Sequence, residues 1–250
     1  MELLLHIYLF TLGAILGSFY NVVGLRVPAG QSIVRPGSYC PNCRKKLKWR
    51  ELVPIFSFFF QKGRCGGCRT TISPIYPFFE FVTGLLFTIS PFLVGWSKEL
   101  PVALALISLL VIITVSDITT MLIPNKILIF FLGIFIVLRI ISPLDPWWSS
   151  ILGAAVGFGV LLLIALISKG GMGGGDIKLF GVLGIVLGLQ GVLLTLFFAS
   201  LIGSVAGITA MLTKKIKRGQ PVPFGPAIAA GTLLAYFFYQ PLLEWYMSFF

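Results

Sequence analysis

Leu100–Asn125, LPVALALISLLVIITVSDITTMLIPN, is the stretch that decides how the chain is read. From Val102 to Ser116 it carries no ionisable side chain. A helix needs about 20 such residues to cross the hydrocarbon core of a bilayer. A carboxylate, Asp117, then appears where the apolar run stops, and Pro124 favours a new helix start just beyond it.

The rest of the chain repeats the pattern. Of 250 residues, 57% are hydrophobic and only 11% charged, against about 25% charged in an ordinary soluble domain; the mean hydropathy is +1.00. These values predict an all-α polytopic membrane protein. Eight spans are expected near residues 3–25, 74–95, 100–116, 125–142, 150–168, 177–189, 191–212 and 224–247. The sixth and seventh require a tight turn at Leu187–Gly191; one long tilted helix over 177–212 is the competing reading. The expected organisation is a first transmembrane helix (1–25), a cytoplasmic loop module (26–73) and a helical bundle (74–250). Met1-Glu2 opens the chain without a basic region, so the first apolar run reads as a retained anchor rather than a cleaved signal.

A formal net charge of +11 raises the question of nucleic acid. The distribution of the charges excludes it. Ten of the 19 Lys and Arg lie between Arg26 and Arg69, and Lys214, Lys215, Lys217 and Arg218 form a second cluster. Basic clusters beside apolar spans set orientation by the positive-inside rule and can meet anionic headgroups. With the N-terminus outside, segments 26–73, 117–124, 169–176 and 213–223 face the cytoplasm. Asp117 and Asp176 then share that side.

The loop module holds all four cysteines, Cys40-Pro-Asn-Cys43 and Cys65-Gly-Gly-Cys68. Paired CxxC knuckles can close a tetrahedral thiolate site for structural Zn2+. Two disulfides or free thiols are the alternatives, and a reducing cytoplasm disfavours disulfides.

Acidic residues number eight, so each position is informative. Alone, Asp117 reads as a helix cap or as a functional carboxylate. Asp176, in Gly173-Gly174-Gly175-Asp176-Ile177-Lys178, is likewise a cap or a group that a glycine run brings near a substrate. Two carboxylates that meet share a proton. One can then act as base towards a water while the other polarises a carbonyl. Lys178 either adds positive charge there or snorkels to headgroups. Glu80, inside a span, is either functional or a packing residue hydrogen-bonded in the bundle. A small transporter with broken helices, or a non-enzymatic assembly scaffold, would also accommodate these features.

Several motifs in order resemble one family: Gly17-Ser18-Phe19-Tyr20-Asn21, Arg26-Val27-Pro28, the tetra-cysteine loop, Pro77-Phe78-Phe79-Glu80-Phe81-Val82-Thr83-Gly84, Asp117 with Ile123-Pro124-Asn125, Gly173-Gly174-Gly175-Asp176-Ile177-Lys178, and Pro223-Phe224-Gly225-Pro226. The chain resembles the prepilin peptidases, or type IV leader peptidases, of the GxGD membrane aspartic proteases. The resemblance implies Asp117 and Asp176 as the catalytic pair, supported by Gly173, Gly175 and Lys178. It implies prepilins or pseudopilins as substrates, cut at the cytoplasmic face of a bacterial inner membrane. It also implies methylation of the new N-terminus with S-adenosylmethionine, in which Glu80 is a candidate, with structural zinc on Cys40, Cys43, Cys65 and Cys68. It leaves the oligomeric state open. The middle position of GxGD is here itself a glycine, Gly174.

Overall fold

A computed structural model of the chain describes residues 2–168, 171–213 and 222–248. Lys169, Gly170 and the basic run at 214–218 lie outside the described residues. Among those described, the chain is helical apart from turns and two isolated bridges, Tyr39 with Lys46 and Arg64 with Thr71. The helices are α1 (Glu2–Arg26), α2 (Phe56–Phe60), α3 (Ile75–Val94), α4 (Glu99–Thr120), α5 (Asn125–Ile141), α6 (Ser149–Ile167), α7 (Gly174–Leu212) and α8 (Gly225–Met247), with a 3-10 turn at Trp49–Glu51. Five of them, α1, α3, α4, α6 and α7, are long and apolar enough to cross a membrane. The all-helical membrane class is as the sequence predicts, with five such helices where eight spans were expected.

The chain forms two compact units, Met1–Phe92 and Leu93–Phe250. In the first, α1 and α3 pack through small residues. A Cβ on Gly13 would stand 2.8 Å from the Thr83 carbonyl oxygen, and one on Gly17 would stand 3.0 Å from Glu80 Cα. This four-residue spacing of glycines brings two helix backbones together where lipid offers no hydrophobic drive.

In the second unit α4 is the core. Val102, Ala103, Leu106, Ile107 and Leu109 are fully buried, as expected of a helix that is apolar on every side. A continuous α7 of 39 residues would run about 58 Å, well beyond the bilayer core. It does not run straight. Gly188 has φ 71° and ψ −176°, a left-handed backbone that only glycine adopts without strain. Gly157 of α6 lies against both the Phe180 carbonyl and the Val192 side chain. Those two residues would be about 18 Å apart along a straight helix, so the chain folds back at Gly188. The turn falls within the Leu187–Gly191 segment expected from sequence.

The break is capped from both sides. Arg139, buried at the end of α5, donates from Nε (3.0 Å) and Nη2 to the Val186 carbonyl, which the break frees from its helical partner. Leu189 N–H donates to Ser149 Oγ at 3.1 Å. The same guanidinium pairs with Glu99 at the start of α4, and Glu99 Oε2 accepts from Tyr236 OH of α8 at 2.9 Å. One buried cation therefore ties α4, α5, α7 and α8 at a single end.

Candidate functional site

The opposite ends of α4 and α7 carry the two aspartates. Asp117 lies in the last turn of α4 and is 6% exposed. It is not the start of a helix. Its own carbonyl accepts from Met121 N–H at 2.9 Å, and Met121, at φ 53°, ends the helix. The chain turns through Leu122, Ile123 and Pro124 into α5.

The Gly225 N–H at the start of α8 donates to Asp117 Oδ2 at 2.6 Å, and the Phe224 backbone also serves this carboxylate. There is no room for a side chain at this contact. A Cβ on Gly225 would stand 2.8 Å from both Cβ and Oδ2 of Asp117.

Asp176 occupies the third position of α7, whose N-cap is Gly173. Its carboxylate lies back beside the Gly173 backbone; a Cβ on Gly173 would stand 3.0 Å from Asp176 Oδ2. The charge of Asp117 reaches Asp176. A Cβ on Gly175 would stand 2.7 Å from Ile123 Cβ, so the glycine run seats α7 against the turn that follows Asp117. Lys178 Nζ donates to Asn125 Oδ1 at 3.0 Å; it ties α7 to α5 and does not pair with either aspartate in the described contacts.

In the first unit the four cysteines converge. Their sulfurs lie within 4.8 Å of one another and could hold a metal ion. Cys40 and Cys68 Sγ are 3.8 Å apart and Cys43 and Cys65 Sγ are 3.9 Å apart. A tetrahedron with Zn–S bonds of about 2.3 Å has edges of about 3.8 Å. Each knuckle is a turn closed by a backbone bond, Arg44 N–H to the Cys40 carbonyl and Arg69 N–H to the Cys65 carbonyl. The Thr70 hydroxyl and backbone, with Asn42, hold the Cys68 thiol down at about 5, so it is a thiolate near neutrality. Glu51 braces the module. It accepts from Lys48 N–H at 2.8 Å and Lys45 Nζ at 3.0 Å, and these two bonds hold its carboxyl below the usual range.

A cavity of about 530 Å³ lies between the module and the α1–α3 pair, with Asn21, Tyr39, Cys40, Tyr76 and Glu80 in its wall. Glu80 Oε2 accepts from Ile55 N–H at 2.7 Å, so it seats the module on α3 as well as lining the cavity. Asn21 is buried. Its Nδ2 donates to the Tyr76 carbonyl at 3.2 Å, and its Oδ1 has no hydrogen-bond partner. Sequence reading passed over Asn21 as a site residue. Its place in the Gly17–Asn21 motif was the available signal.

Comparison with known proteins agrees across both units. The family model described as the bacterial peptidase A24 N-terminal domain matches residues 11–94, and that of the type IV leader peptidase family matches 104–208. A Bacillus subtilis protein named prepilin leader peptidase/N-methyltransferase is 51% identical over 240 residues, covering 96% of this chain and 97% of its own length. Proteins of the same name from Myxococcus xanthus and Klebsiella pneumoniae are 38% and 35% identical. They cover 82% and 77% of this chain, and 63% and 90% of their own lengths. No solved structure matches.

Proposed function

The chain belongs to the type IV leader peptidase family, and from that premise we propose that it is a membrane aspartic endopeptidase that removes the leader of prepilins or pseudopilins and N-methylates the new terminus. The observation that supports the peptidase reading is the electrostatic reach of Asp117 to Asp176 from a separate helix, with the Gly225 amide holding Asp117.

In this reading the ionised member of the pair takes a proton from water, whose oxygen attacks the scissile carbonyl carbon. The protonated member donates a hydrogen bond to the carbonyl oxygen as charge develops there. Collapse of the tetrahedral species passes a proton to the departing amine. The Gly225 amide keeps Asp117 oriented throughout. The concentration of Lys and Arg in 26–69 supports a cytoplasmic placement of this chemistry in a bacterial inner membrane.

Asp117→Asn and Asp176→Asn are each expected to abolish cleavage of a prepilin by detergent-purified enzyme while the protein still accumulates in membranes. Normal cleavage by either variant would overturn the assignment.

For methyl transfer, S-adenosylmethionine supplies an electrophilic methyl on a sulfonium centre. The cavity of the first unit suits such a cofactor. Asn21 Oδ1 is a buried acceptor without a donor, and Glu80 is a carboxylate able to face an ammonium or sulfonium cation. Cys40, Cys43, Cys65 and Cys68 would hold structural Zn2+ and so fix the wall that Cys40 contributes. Mass spectrometry of the cleaved product, with S-adenosylmethionine present, tests this activity; an unmethylated terminus would restrict the enzyme to proteolysis.

A further inference from the structure

Between the two cysteine knuckles the chain forms α2, Phe56-Ser-Phe-Phe-Phe60. Its faces are inverted relative to a soluble module. Ser57 and Phe58 turn inward to line the cavity, and a Cβ on Gly63 would stand 3.1 Å from the Phe58 ring. Phe56, Phe59 and Phe60 are 59%, 69% and 84% exposed. Their i, i+3, i+4 spacing puts them on one side of the helix. Trp49, 72% exposed, lies in the neighbouring 3-10 turn and carries the Arg50 guanidinium over its ring at 5.1 Å. Four exposed aromatic rings on a polar loop module form a surface that water does not favour.

The anchoring of α2 gives its depth. Ile55, the residue before α2, is hydrogen-bonded to Glu80, five residues inside α3. At 1.5 Å per residue that is about 7.5 Å along α3 from its first residue, the scale of the roughly 5–10 Å to which interfacial helices sink where α3 enters the bilayer at that end. The charge around the rings is of one sign. Lys48, Arg50, Lys62 and Arg64 are exposed, and Glu51, the only acid between residues 26 and 73, is bound to Lys45 and Lys48.

We propose that α2 is a monotopic membrane anchor: the Phe56, Phe59 and Phe60 face enters the headgroup–acyl boundary of an anionic bilayer, with Arg50 and Lys62 at the lipid phosphates. The two-turn pin at Glu80 sets the level, and the cations fit the surface charge of that leaflet.

The test is lipid photolabelling of the full chain in vesicles of phosphatidylglycerol and phosphatidylethanolamine. p-Benzoylphenylalanine is introduced in place of Phe56, Phe59, Phe60 or, as the inward control, Phe58. Lipid adducts are expected at the three outward positions at about ten-fold the yield at Phe58, as insertion of one face requires. Replacing phosphatidylglycerol with phosphatidylcholine is expected to lower the outward yield. Equal yields at all four positions, or crosslinks from the outward positions to this chain or to a second copy, would overturn the proposal. So would an outward yield that ignores lipid charge. Circular dichroism and a monodisperse gel-filtration profile of each purified variant confirm that the protein under test is folded.

Discussion

At Gly225 a missing side chain matters as much as a present one. The Gly225 amide reaches Asp117 because nothing projects between them. Gly225→Ala is expected to displace the carboxylate by a few tenths of an ångström and lower kcat for cleavage about ten-fold, measured against a prepilin. Methylation of an already processed pilin should stay unchanged. Asn21→Leu should act in the other direction. It removes the unpartnered acceptor from the cavity, and loss of one hydrogen bond there is expected to raise KM for S-adenosylmethionine about ten-fold with cleavage intact. The two aspartates were legible in sequence because carboxylates at membrane depth are rare. The roles of Gly225 and Asn21 were not. A backbone donor has no letter of its own, and an orphaned oxygen exists only once its neighbours are placed.

Elements show a similar division. Apolar runs and their polar interruptions were enough to read an all-helical membrane chain, and Leu187–Gly191 was visible as a turn. The reason it turns was hidden, because Arg139, Val186, Glu99 and Tyr236 are far apart in sequence. Glu99 carries no sequence signal of its role as the partner of a buried guanidinium. Arg139→Met leaves the Val186 carbonyl and Glu99 without that partner and should cost about 3–5 kcal/mol, seen as a lower melting temperature in detergent. Arg139→Met combined with Glu99→Leu should be less destabilised than Arg139→Met alone, since no unpaired charge then remains. A double-variant cycle measures the difference.

At the scale of the whole molecule, the two proposed sites fall in different units. The cysteine cluster and the cavity belong to Met1–Phe92, the carboxylate pair to Leu93–Phe250. Cys40→Ser with Cys68→Ser should therefore abolish N-methylation while cleavage remains within about two-fold of the parent, because a structural thiolate site stabilises the unit that contains it. Equal loss of both activities in one preparation, read by mass spectrometry of the pilin, would contradict this separation.

The left-handed backbone at Gly188 has a consequence for how the protein tolerates change. Every other residue type carries a Cβ, and at that position it would stand 2.5 Å from Ser149 Oγ as well as being strained. In a library of all single substitutions, Gly188 should be as intolerant as the aspartates, but for a different reason. Aspartate variants would leave abundance intact and lose turnover, whereas Gly188 variants would lose abundance first. Lineages could therefore drift freely over the lipid-facing positions of α7 while this one codon stays frozen.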